Sequence, residues 1–284
     1  MARTYKIISI LCWLLILAAC GDDKGSNSFA AKDDRPSSSS AKSSSFVSGG
    51  SCSSFYSEEL GEGVMPSGTY NCRSHHCITT EFLNQELLEA GKYGEILDER
   101  DDQVYKTIKI GEQVWLAQNL NYYEDHKTTY AYCLNNNRSN CNKYGRLYSN
   151  KSNASCPDGW RKAEDFEWQQ LIAFVGDSST ASQKLISQIG WTRDGVDVSG
   201  TDDYGFSMVA TGYRTNTDEY TDYMHQARFL LRYGYRNRDE DYIVKFYRYY
   251  HEDDGEIGGN VDYNSYIDKF TAVSIRCIQD TSKK

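Results

Sequence analysis

The chain opens on an apolar run, continues through a long polar stretch and then settles into short blocks of alternating character. Residues 7–19 are nearly all apolar and follow Arg3 and Lys6. A run of that length falls short of the about 20 residues a membrane span needs, and its basic flank fits an export signal. From residue 21 to about residue 47 the chain is polar and rich in serine. It has too little apolar surface to offset the entropy of ordering, so it reads as a flexible tether. Beyond residue 80 the periodicity becomes regular. Residues 80–88 fit a short helix stopped by Gly91. Residues 103–120 alternate through Val104, Ile108, Ile110, Val114 and Leu116 about a turn at Gly111-Glu112, which predicts a β-hairpin. Residues 144–148 give a further strand. In residues 164–175, Phe166, Leu171, Phe174 and Val175 form a helical stripe with Trp168 on its flank. Glu164 and Asp165 fall in the first turn, where the helix dipole favours acids. A second short helix is expected near residues 181–189, and strands at 205–210, 242–250 and 272–278.

The pattern predicts an α+β fold of twisted, mostly antiparallel sheets with two short helices in the main domain. The expected organisation is a signal over residues 1–20, a Ser-rich tether over 21–50, a small Cys-containing extension over 51–95 and the main domain over 96–284. The signal ends in Leu17-Ala18-Ala19-Cys20-Gly21, which is similar to a bacterial lipobox. Small residues at 18 and 19 admit a peptidase, and Cys20 would take the lipid. Several acyl chains on one residue anchor firmly where one chain is marginal. Gly21 is not the Asp associated with inner-membrane retention. The expectation is therefore a lipid-anchored protein of the outer membrane, exposed at the surface.

Charge narrows the partners. Losing Arg3 and Lys6 with the signal takes the formal net charge from −9 to −11. A net-acidic chain argues against nucleic acid and anionic lipid as main partners. Of nine cysteines, Cys12 leaves with the signal and Cys20 is lipidated, so seven remain, an odd number. An exported chain meets oxidants, which makes disulfides the default. Cys133 and Cys141 flank a polar turn and are expected to close a hairpin-like loop. Among Cys52, Cys72 and Cys77 the sequence does not select a pair. A zinc reading of Cys72, His75, His76 and Cys77 lacks the second, distant ligand pair of the usual spacing.

Several blocks together resemble one family. Residues 98–122, DERDDQVYKTIKIGEQVWLAQNLNY, are followed by the cysteine loop 133–141 and by Tyr144-Gly145-Arg146-Leu147-Tyr148. Then come Cys156-Pro157-Asp158-Gly159-Trp160, Glu167-Trp168, Gly205-Phe206-Ser207, Gly212-Tyr213-Arg214 and Arg276-Cys277. In this order, over about residues 96–280, they are similar to the Fibrobacter succinogenes major paralogous domain. The resemblance implies a C-type-lectin-like or sulfatase-modifying-factor-like fold. It also implies a disulfide tying the first helix region to the last strand, here Cys156 to Cys277. That bond would close a loop of about 120 residues, worth about 4–5 kcal/mol in the chain-entropy model. It makes the C-P-D-G-W stretch a frame, with Trp160 and Trp168 in the core and the acids at the helix start and surface. Two blocks depart from the family: Arg161-Lys162-Ala163 stands where many members have L-P-S, and the F-W-S-S run has no counterpart in residues 227–232.

No catalytic constellation stands out. His75, His76, His126, His225 and His251 show neither a Ser–His–Asp order nor H-E-x-x-H spacing. The resemblance also admits formylglycine-generating enzymes, but these need late reactive cysteines, and Cys277 is better used in a bridge. A calcium-dependent lectin loop needs a Pro between polar ligands, and no Pro follows Pro157. No resident cofactor is expected, and calcium at the acidic loops 194–203 and 252–256 is the alternative. The aromatic pattern is more suggestive. The chain holds 23 Tyr against 10 Phe, and Tyr interleaves with Arg at Tyr233, Tyr235 and Arg236 and at Tyr247, Arg248 and Tyr249. Alternation puts Tyr247 and Tyr249 on one face, and Tyr and Arg are favoured where proteins bind. The expectation is a non-catalytic, lectin-like module for polysaccharide or fibre, with an envelope or extracellular protein as the alternative partner.

Overall fold

The computed structural model describes residues 51–52, 70–71, 76–125, 127–235 and 240–281. Side chains at 51, 52, 70, 71, 233–235, 240, 241 and 264 are not part of that description. The signal, Cys20, the tether and Arg236 lie outside the described residues. The chain divides into two units, 1–47 and 48–284, and the fold below is that of the second.

In chain order the elements begin with β1 (Ser51–Cys52) and β2 (Tyr70–Asn71), which pair with each other. β3 (His76–Cys77) follows, then α1 (Gln85–Glu89), whose cap is the Asn84 side chain accepting the Leu87 N–H. β4 (Gly94–Asp98), β5 (Gln103–Ile110) and β6 (Gln113–Leu116) form the hairpin region. Gly111, at φ 58, makes the tight β5–β6 turn. β7 (Ala131–Tyr132) leads through a short 3-10 turn into α2 (Arg138–Tyr144) and β8 (Leu147–Ser149). Next are β9 (Trp160–Lys162), α3 (Asp165–Val175), α4 (Ser178–Lys184), β10 (Thr192–Arg193) and β11 (Val196–Asp197). The last part is all strand: β12 (Tyr213–Arg214), β13 (Tyr220–Thr221), β14 (Gln226–Tyr235), β15 (Glu240–Tyr250), β16 (Ile257–Asp268), β17 (Ala272–Ser274) and β18 (Cys277–Gln279).

Two sheets dominate. One runs β3-β5-β6-β18-β9 with β4 on β5; the other runs β13-β12-β17-β14-β15-β16 with β8 and β7 attached at β17. β14 and β15 are buried on both sides over part of their length. Phe229, Leu231, Val244 and Phe246 enter one core with α3 and α4; Leu230 and Ile243 enter a second core with Ile96, Tyr105, Leu116 and Tyr148. The first core is built on stacked aromatics: Trp168 lies 5.0 Å from both Trp115 and Phe229 and 5.7 Å from Phe246. The second surrounds the Cys156–Cys277 disulfide, which spans 121 residues. Cys133 and Cys141 form another disulfide.

The α+β class and the hairpin agree with the sequence pattern, and several details do not. The expected helix at 80–88 is a shorter one that starts after Asn84. The Cys133–Cys141 loop is helical rather than hairpin-like, held by the Asn137 side chain accepting the Ser139 N–H at 3.0 Å. The stripe of α3 is Trp168, Leu171, Ile172 and Val175, while Phe166 and Phe174 are exposed. Glu167, read as a surface acid, is buried. Residues 205–210 make only an isolated bridge at Met208. The last strand is two: β17 belongs to one sheet and β18 to the other, and the chain crosses between them at Ile275-Arg276. The extension from residue 76 onward does not stand apart, because β3 and β4 both pair with β5.

Candidate binding face

β14, β15 and β16 continue beyond the second core as an open sheet, and strand register brings its outward residues into rows. Gln226, Tyr247 and Asn260 are directly opposite one another, as are Arg228, Lys245 and Asp262. Opposed residues share a face, so both rows lie on the side that carries Leu230 and Ile243 into the second core. Ionic and ring contacts lock each row. The Arg228 guanidinium lies 3.6 Å from the centre of the Tyr213 ring and donates to Asp222 Oδ2 at 2.9 Å and to Gln226 Oε1 at 3.0 Å. Burial lowers its pKa from the ordinary arginine value, against the opposing pull of Tyr213 and Asp222. Lys245 Nζ is 3.0 Å from Asp262 Oδ2 and 5.2 Å from the Tyr247 ring centre.

Tyr249 extends the face by one step. Its ring lies flat over Gly258, directly opposite, where a Cβ would come within 2.3 Å of it. The His251 ring is 4.8 Å away. Beside the rows, the loop carrying Asp222 and Met224 holds both in the left-handed region, at φ 58 and 75. His225 sits 3.6 Å from Asp222, and burial, then Arg193, lowers its pKa below the usual histidine value. A second arginine stack lies at β12, where Arg214 covers the Tyr132 ring at 3.8 Å.

Of the residues singled out in the sequence, Tyr247 and Tyr249 are half-buried on this face. Tyr233 and Tyr235 lie on β14, with side chains outside the description. Arg248 must be corrected. It points into the opposite side, is 7% exposed, and its Nε donates to the Val198 carbonyl at 3.0 Å. The alternation that puts Tyr247 and Tyr249 together necessarily sends Arg248 inward. The arginine of the face is Arg228, which the sequence reading missed. Gly212-Tyr213-Arg214 was recognised as a block, but the register that sets Arg228 over Tyr213 is a property of the folded sheet.

The other candidates serve internal structure. Glu167 accepts the Glu164 N–H at 2.8 Å and Arg161 Nη1 at 2.7 Å, so it caps α3 and fixes Arg161. Cys77 is disulfide-bonded and not open to a zinc set. In the acidic loop 194–203, Asp197 accepts the Ser199 N–H and Asp202 is buried against Ser207. Among the described residues no three His, Cys, Asp or Glu side chains converge as metal ligands, and no helix is long and apolar enough to cross a membrane. Asp202 has its pKa pushed up to about 8 by burial, despite two Ser207 hydrogen bonds and Arg276.

The Fibrobacter succinogenes major domain model matches residues 108–279, from the β5–β6 hairpin to β18. Among curated proteins and solved structures nothing matches the chain. The matched segment covers more than half of the sequence and holds the whole β8–β17 sheet, the Cys156–Cys277 disulfide and the registered rows of β14 to β16, so the chain belongs to the Fibrobacter succinogenes major domain family.

Proposed function

We propose that this protein is a lipid-anchored lipoprotein of the outer cell surface, attached through Cys20, whose tether presents a C-type-lectin-like domain for non-catalytic binding of polysaccharide. Support for binding comes chiefly from one observation: Gln226, Arg228, Lys245, Tyr247, Asn260 and Asp262 form two registered rows on an open sheet face. Tyrosine rings give flat apolar area for sugar C–H groups, while amides and ion-paired side chains supply hydrogen bonds in both directions. Pre-paired charges hold these groups in place, which lowers the ordering cost of binding. The anchor and tether are supported by Leu17-Ala18-Ala19-Cys20-Gly21 and the serine-rich stretch after it.

The test is a pull-down of the full chain, kept in mild detergent, on cellulose, xylan and pectin, with calcium and then with chelator. Retention should fall by about tenfold in Tyr247→Ala/Tyr249→Ala, as expected for losing roughly 1–2 kcal/mol of contact. Equal retention of the double variant would overturn the assignment of the face. No retention on any polysaccharide would overturn the ligand class and make an envelope protein the partner to seek.

A further inference from the structure

A cavity of about 320 Å³ opens on another part of the molecule, between the end of β4 and the Cys156-Pro157-Asp158-Gly159-Trp160 turn. Its volume lies at the low end of small-molecule sites. Two fixed walls form it. Arg100 joins them: its Nε and Nη2 grip Asp98 at 2.7 and 2.6 Å, while Nη1 and Nη2 reach Ser155 Oγ and O at 2.8 and 3.0 Å. The guanidinium also stacks on Tyr122 at 4.1 Å. Asp98 and Arg100 are thus satisfied by each other and by the frame. The disulfide beside Pro157 pins the second wall to β18.

Groups without an internal partner line the cavity. Trp160 is nine-tenths buried, yet among the described residues its indole N–H has no hydrogen-bond partner and is not sealed from solvent. Glu99 and Asp158 are exposed at the rim, with no cation paired to either. Ile96, Leu97 and Pro157 supply apolar wall. The inventory is two acceptor-only carboxylates, one N–H donor and an apolar surface. Two unpaired negative charges reject an anionic ligand. An alkyl chain would leave the polar groups unmet, at the cost of their desolvation. A pyranose ring meets all three features: hydroxyls donate to the carboxylates, one oxygen accepts from the indole, and the C–H face lies on the apolar wall.

We propose that this groove is a second carbohydrate subsite, which takes one uncharged sugar residue or a chain end and excludes uronic acids. It deepens the polysaccharide reading above and rests on it, but uses none of the residues of the sheet face.

Calorimetric titration of the full chain in detergent with glucose, xylose, cellobiose and glucuronate tests it, read alongside tryptophan fluorescence. Trp115, Trp168 and Trp191 are fully buried, so a spectral change that is absent from Trp160→Phe reports the groove. The expected result is binding of a neutral sugar, with glucuronate at least about tenfold weaker. Glu99→Gln and Asp158→Asn should each weaken it by about tenfold, the value of one hydrogen bond to a charged group. Both positions are exposed, so these variants fold. Neutral-sugar affinity unchanged in both variants, glucuronate bound as well as glucose, or no sugar bound at all would each overturn the subsite. Tyr247→Ala/Tyr249→Ala separates the two ideas. If it abolishes polysaccharide retention while no small sugar binds, the groove fails and the face stands; if polysaccharide and sugar both go unbound by the parent chain, both fail.

Discussion

Arg276 is 1% exposed and sits where the chain leaves one sheet for the other. A strand that changes sheets strands the carbonyls around the crossing, and the guanidinium collects them. It donates to the carbonyls of Leu116 at 3.0 Å and Phe206 at 2.8 Å and to Asn119 Oδ1 at 3.1 Å, with its plane 4.5 Å from the Phe206 ring centre. Burial brings its pKa down to about 9. Close by, Asp202 accepts the Ser207 N–H and hydroxyl at 2.8 and 2.7 Å, and Tyr93 meets the same hydroxyl at 3.0 Å. With a folded pKa of about 8, against an unfolded value near about 4, Asp202 holds a proton in the native state that the unfolded chain has already lost. Its contribution to stability is therefore fully present below pH about 4 and is lost as pH rises to about 8. Asp202→Asn removes that dependence. The melting temperature of the parent should fall relative to Asp202→Asn between pH 4 and 8; parallel curves would show that the carboxyl is ionised in the fold throughout.

At the scale of the element, α3 shows how a sequence can present two faces. Phe166 and Phe174 lie eight residues apart, Trp168, Leu171, Ile172 and Val175 share a second stripe, and both sets have helical spacing. The fold buries the second set because its Trp168 completes the aromatic cluster, while Phe174 only covers Gly111 and Tyr204 from outside. Periodicity gave the helix and nearly its bounds but not its rotation, which depends on what it packs against. α2 was invisible for a different reason: Arg138-Ser139-Asn140-Cys141-Asn142 has no apolar stripe, and the helix is held by its Asn137 cap and the Cys133–Cys141 bond. Glu167 read as a surface acid, and neither its burial nor its partner was legible. Arg161 comes from β9, and its guanidinium is gripped by Glu167 on one side and lies 3.5 Å from Asp280 on the other. Glu167→Ala should cost about 2–3 kcal/mol, combining a lost cap with a buried guanidinium left short of acceptors. Glu167→Gln should recover about half, since the amide oxygen still caps. Urea denaturation measures both; equal losses would mean that only charge matters at this position.

At the scale of the whole molecule, the order of the family blocks was legible while their meeting was not. The hairpin, the C-P-D-G-W turn and the Arg-Cys strand could be recognised one by one, but the face that gathers Tyr213, Arg228 and Tyr247 exists only through strand register. The disulfides connect these scales, because their effect follows from how much chain each encloses. Cys133 and Cys141 are separated by eight positions in the sequence and Cys156 and Cys277 by 121. Chain entropy makes the first worth about 2.5 kcal/mol and the second about 5. The second also pins β18 to the turn before β9, within the sheet that runs β3-β5-β6-β18-β9 and just after the chain has crossed into it at Ile275-Arg276. Its loss should loosen the second core around Tyr105, Leu116 and Ile275 rather than the aromatic cluster around Trp168. Cys156→Ala/Cys277→Ala should therefore lower the unfolding free energy by about 4–5 kcal/mol, and Cys133→Ala/Cys141→Ala by about half as much, in urea titrations of each variant beside the parent. Amide exchange should quicken first in β4–β6 and β18. A larger loss from the short loop would mean that α2, and not the junction of β18 with the turn before β9, is where the fold depends on a covalent tie.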